Sequence, residues 1–93
     1  MNRARLQAAR SERQRWLERV IARLRGLEVA VGQTYDDEKW RLGPELERLS
    51  DAIATAGNDP EWRSAYERVR SEILLGGAPA QLGSCIRELE RLR

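Results

Sequence analysis

The sequence predicts an all-α protein, and three observations carry that prediction. Leu, Ala, Arg and Glu dominate the chain, and all four are strong helix formers. Phe is absent and β-branched residues are few, which leaves little material for strands. Apolar residues recur at three- and four-residue steps in every long stretch between Gly and Pro signals. Ninety-three residues suit one modest domain, read as a single unit over 1–93.

The first element is a long helix over 2–31. Leu6, Ala9, Leu17, Val20, Ile21, Leu24, Leu27 and Val31 form one apolar stripe, and Gly32 can end it in the left-handed conformation. Thr34 with Asp37 three residues on reads as an N-cap for a short turn from Tyr35 to Arg41. Gly43-Pro44 then reads as a break near Leu42–Gly43, because proline removes an N–H and fits best in a first turn. A helix over 44–56 follows, with Leu46, Leu49, Ile53 and Ala56 on one face and Gly57 closing it. Asn58-Asp59-Pro60-Glu61 is the clearest start signal in the chain, with Asp59 as cap and Pro60 in the first turn. It opens a helix over 60–75 whose inner face is Trp62, Ala65, Tyr66, Val69, Ile73 and Leu74. Gly76-Gly77 ends that helix, and Pro79 opens the last one, 79–93, with Leu82, Cys85, Ile86, Leu89 and Leu92 inward.

The expected architecture is a small antiparallel helical bundle in which a long N-terminal helix packs on three shorter ones. Lengths then conflict. A helix of 30 residues spans ~45 Å and the later helices ~20–24 Å each, so the first four turns should project beyond the bundle or meet something that accepts arginine. Arg3, Arg10 and Arg13 fall in the stripe's own sector there, replacing the aliphatic residues found further on.

Charge is polarised along the chain. Residues 1–25 hold eight Arg against two Glu, a net of +6, while residues 26–93 hold nine basic and thirteen acidic side chains, a net of −4. Arg15, Arg19 and Arg23 stand four apart on the outer face with no acid among them, an arrangement that disfavours an isolated helix. The later helices alternate sign instead, through Arg63–Glu67, Glu67–Arg70, Arg68–Glu72, Arg87–Glu90 and Glu88–Arg91. Trp16 borders the ridge beside Arg13 and Arg19, and Arg with Trp is a pairing enriched at binding hot spots. It is equally the amphipathic ring that suits a core edge. Trp40 and Trp62 read as structural.

Catalytic chemistry finds little footing. There is no His, which removes the commonest general base and zinc ligand. Asp36, Asp37 and Glu38 diverge by about 100° each on a helix and suit its N-terminal dipole rather than a metal. Cys85, at core spacing, reads as a small buried thiol, and a lone cysteine allows no internal disulfide. No cofactor, metal or small-molecule substrate is expected. No apolar run reaches the length of a membrane span, and acids within the Arg-rich start argue against a cleaved leader, so the expected compartment is the cytoplasm.

The expected function is a non-enzymatic protein–protein interaction module, a small regulator or adaptor. It would dock an acidic protein surface, or a second copy of itself, through Arg10, Arg13, Arg15, Trp16, Arg19 and Arg23. The alternative is a nucleic-acid-binding regulator. That reading uses the same ridge, or a helix-turn-helix over 44–75 presenting Arg63, Ser64, Arg68 and Arg70, although Glu61, Glu67 and Glu72 lie among those arginines.

Overall fold

The computed structural model describes residues 3–77 and 79–93, and the described residues form helices and turns only. The order is α1 (Arg3–Val29), α2 (Gln33–Thr55), α3 (Pro60–Val69) continuing as a π-helical segment (Arg70–Leu75), a 3-10 turn (Pro79–Gln81) and α4 (Leu82–Glu90). The all-α architecture is thus the expected one; the expected helix start at residue 2 lies outside the described residues. α1 packs on α2 and α4, and α3 packs on the same two helices, giving an elongated bundle of 47 × 19 × 19 Å. No described helix is long and apolar enough to cross a membrane.

The stripe of α1 buries Ala9, Leu17, Val20, Ile21, Leu24 and Leu27. The helix ends at Val29, earlier than the spacing suggested, and Gly32 reverses the chain at φ +56°, where a side chain would be strained. Val31 has therefore left the helical period and is 81% exposed rather than the last member of the stripe.

The largest correction concerns α2. Helix runs unbroken from Gln33 through Gly43-Pro44 to Thr55, so neither a break near Leu42–Gly43 nor a separate helix over 44–56 exists. Gly32 holds the cap position and Thr34 lies inside the first turn, so Thr34 is no cap. Proline inside a helix deprives the carbonyl four residues back, here Trp40, of its N–H donor. Pro44 and Trp40 are both exposed residues on the solvent side of α2, away from the core. On the opposite side Leu42, Leu46, Leu49 and Ile53 are each 1% exposed or less and bridge the proline without interruption. Burying each such side chain is worth ~1.5–3 kcal/mol, which outweighs the ~3 kcal/mol cost of one interior proline.

Continuity of α2 also removes the expected overhang. Its 23 residues span ~35 Å against ~40 Å for the 27 of α1. The antiparallel register sets Glu45 and Glu38 beside Arg23 and Arg48 beside Trp16, and brings Thr55 to Ala9. Among the described residues before Leu17 only Ala9 is buried, and Arg3–Ala8, about a turn and a half, contains no buried residue.

The start of α3 follows its signal: the Asp59 side chain accepts from the Glu61 N–H at 2.9 Å, with Pro60 in first place. After Val69 the helix widens to a π segment that keeps Ile73 buried. A Cβ at Gly76 would lie 2.6 Å from the Ser71 carbonyl oxygen, so the wide turn closes there only with glycine. Pro79 opens a 3-10 turn rather than an α-helix, and α4 contributes Leu82, Cys85, Ile86 and Leu89 to the core before ending at Glu90.

If core burial holds α2 together across an unfavourable proline, Pro44→Ala restores the missing donor at no cost to packing. Urea unfolding of that variant is expected to show a gain of about 1–3 kcal/mol.

Candidate interaction surface around Trp16

The six residues singled out in the sequence divide into three settings. Arg10 is exposed and forms no ion pair among the described residues. Arg13 points inward, as its place in the stripe requires, but meets an aromatic ring rather than an acid. Its guanidinium lies 4.0 Å from the centre of the Trp62 ring, and its Nε is buried without a hydrogen-bond partner. Burial pulls the Arg13 pKa down, and nearby Asp59 partly offsets this. Trp62 thus provides the arginine-accepting surface that the wheel position demanded, within the same chain.

Arg23 is also engaged internally. Its two terminal nitrogens donate to Glu38 at 2.8 Å and Glu45 at 2.7 Å, and these hydrogen bonds raise its pKa. Both acids come from α2, so Arg23, which pairs with no acid of its own helix, receives two from its neighbour. The acidic run at the start of α2 is dispersed in the same way: Asp37 accepts from Gln33 while Glu38 serves Arg23 and Arg41. The later helices follow the same logic. Arg68 joins Glu72 to Glu88 of α4, Arg25 joins Glu90, and Arg93 meets Glu18 through two bonds of 2.9 Å. Of the expected intrahelical pairs, Arg68–Glu72 forms; Glu88 and Glu90 turn to other partners, mainly across helices.

Arg15, Trp16 and Arg19 remain on an outward surface. Trp16 is half-buried at the core edge, and its indole N–H donates to Glu12 at 2.9 Å. Arg15 makes one exposed contact with the same carboxylate, at 3.3 Å. Arg19 lies 5.2 Å from the Trp16 ring and Arg48 of α2 lies 5.4 Å from it. Neither Arg19 nor Arg48 forms an ion pair among the described residues. Around the ring runs a shallow groove of about 200 Å³ between α1 and α2, lined by Glu12, Trp16, Arg48 and Asp51 among others. The geometry therefore brings together Arg15, Trp16 and Arg19 and adds Arg48, which sequence reasoning missed. The break assigned at Gly43 hid it, since only a continuous α2 carries residue 48 opposite Trp16.

Two further expectations meet the structure here. Trp40, read as structural, is 81% exposed; it lies 200° around α2 from Leu42 and so outside the stripe. In the segment considered as a recognition helix, Arg63 bonds Ser50 and Asn58, and Arg68 bonds Glu72, Glu88 and Ser84, which commits both to the fold.

Cys85 is buried, as its spacing indicated, and desolvation pushes its thiol up to about 11. Almost no thiolate exists at neutral pH, so alkylation by iodoacetamide at pH 8 is expected to run at least tenfold slower than in the denatured chain. A raised thiol pKa is a stability term present below the unfolded value and lost above it. Wild-type stability should therefore fall more steeply between about pH 9 and pH 11 than that of Cys85→Ala. For the Arg23 junction, Arg23→Gln strands the half-buried Glu45 and leaves Glu38 with Arg41 alone, and denaturant titration is expected to show a loss of about 1–2 kcal/mol.

No family model, curated protein or solved structure matches this chain.

Proposed function

We propose that the protein is a non-enzymatic interaction module, a small regulator or adaptor, that docks an acidic protein surface through Arg15, Trp16, Arg19 and Arg48. One observation carries the reading. Arg23 and Arg68, at helix junctions, and the more exposed Arg25 and Arg93 are matched to acids, whereas Arg19 and Arg48 flank an aromatic ring without an ion pair among the described residues, which leaves their charge for a partner. A half-buried tryptophan between two cations offers a partner apolar area together with charge-assisted hydrogen bonds. Cys85, buried and protonated, is unsuited to act as a nucleophile. A lone thiol also suits the reducing cytoplasm, where it needs no partner.

The test replaces Arg15, Arg19 and Arg48 together by Gln and leaves Arg13 and Arg23 in place, because those two support the fold. Capture from lysate of the source organism is expected to recover a protein that the triple variant retains at least tenfold less. Equal recovery of every protein by both chains, with matching circular dichroism, would sink the reading. Mobility shift on duplex DNA and RNA from about 50 to 200 mM salt separates the nucleic-acid alternative, since phosphate contacts must weaken steeply over that range.

A further inference from the structure

Among the described residues the large apolar side chains left exposed are Val29, Val31, Trp40 and Leu75, at 83, 81, 81 and 65%. All come from the end of the molecule where α1 turns into α2 and the π segment closes. Trp40 and Leu75 are the walls of one groove of about 730 Å³, floored by Gly43, Pro44 and Leu74. Its rim holds Lys39, the sole lysine of the chain, and Asp36. Monomeric proteins seldom leave an apolar patch of this kind rimmed by charge without using it for contact.

We propose that this groove is the interface of a two-fold symmetric homodimer, distinct from the basic face around Trp16. The partner is identified by the groove's own composition. A two-fold axis sets residue i against j and j against i. Lys39 and Asp36 lie one turn apart on α2, so each can meet its opposite in a second copy, and both charges are answered at once. A partner of single charge would satisfy one and repel the other.

Shape points the same way. Trp40 and Leu75 project from the surface, while Gly43 and Pro44 leave a hollow beside them. A Cβ added at Gly43 would lie 4.0 Å from the Leu74 Cδ1 atom, so the glycine keeps the space above Leu74 open. Projection and hollow within one patch are what self-complementary packing requires. With only Trp40, Pro44, Leu74 and Leu75 as apolar lining on each side, the contact falls short of the ~800 Å² per partner of a standard interface, so the expected dissociation constant lies in the range of about 10–100 μM.

The experiment is sedimentation equilibrium of the full chain from about 1 to 500 μM. The wild-type mass is expected to rise from 10.7 kDa toward twice that value with concentration. Trp40→Glu, at an exposed position that leaves the core intact, is expected to stay monomeric throughout with unchanged circular dichroism. Lys39→Glu should weaken association at least tenfold, and the swap Asp36→Lys with Lys39→Glu should restore it. The Arg15, Arg19 and Arg48 triple variant should dimerise like the wild type, which separates this surface from the basic face. A wild-type chain that stays monomeric to 500 μM overturns the proposal. So does a dimer that Trp40→Glu leaves unchanged, or one that the triple arginine variant abolishes. Binding of a monomeric chain to phosphatidylcholine–phosphatidylserine vesicles, lost in Trp40→Glu, would assign the groove to a membrane surface and overturn it too.

Discussion

The antiparallel seam between α1 and α2 is the constraint on which the rest of the molecule depends. Leu17, Val20, Ile21, Leu24 and Leu27 from one helix close on Leu42, Leu46, Leu49 and Ile53 from the other, and all are essentially sealed from solvent. That burial is strong enough to carry α2 straight through a proline. Once α2 is continuous, it is almost as long as α1, and the register between them is set. The register then decides which side chains of the two helices can meet: Arg23 with Glu38 and Glu45, Trp16 with Arg48, and Ala9 with Thr55.

Charge is distributed according to the same seam. A helix with eight arginines in its first 25 residues and two acids would repel itself in isolation. In the bundle, α2 lends carboxylates to Arg23, α4 lends Glu90 to Arg25, and Trp62 of α3 takes Arg13 by stacking. Of the α1 arginines, Arg15 and Arg19 stay on its outward side beside the border with α2. This partition separates arginines that hold the fold from those open to a partner, and residues only four apart on one helix fall in different groups.

Much of this was legible in advance. Most core positions followed from three- and four-residue spacing, because a helix must bury one side; Leu6 and Val31 fell outside the core, and Leu42 and Ala52 joined it unread. The start of α3 followed from Asp59-Pro60, because capping is decided within a few residues. Arg13 was recognised as occupying a core sector, and the structure supplies the ring that lies there. Trp40 could have been read as exposed from its angle to Leu42, had the stripe been extended back across Gly43-Pro44. Arg48 could not, since its role depends on a register between two helices that no local pattern encodes.

Local sequence determined the helical class, most of the apolar faces, the cap at Asp59 and the polarity of charge, because each depends on interactions within a turn or two of chain. Tertiary structure decided whether α2 continues through Pro44, which carboxylate answers which arginine, and which two of the three tryptophans pack against the core. Those outcomes depend on burial and distance between segments far apart in sequence. A local penalty of a few kcal/mol is overridden when a whole stripe is buried, and a charge is neutralised only when an opposite one is brought within reach.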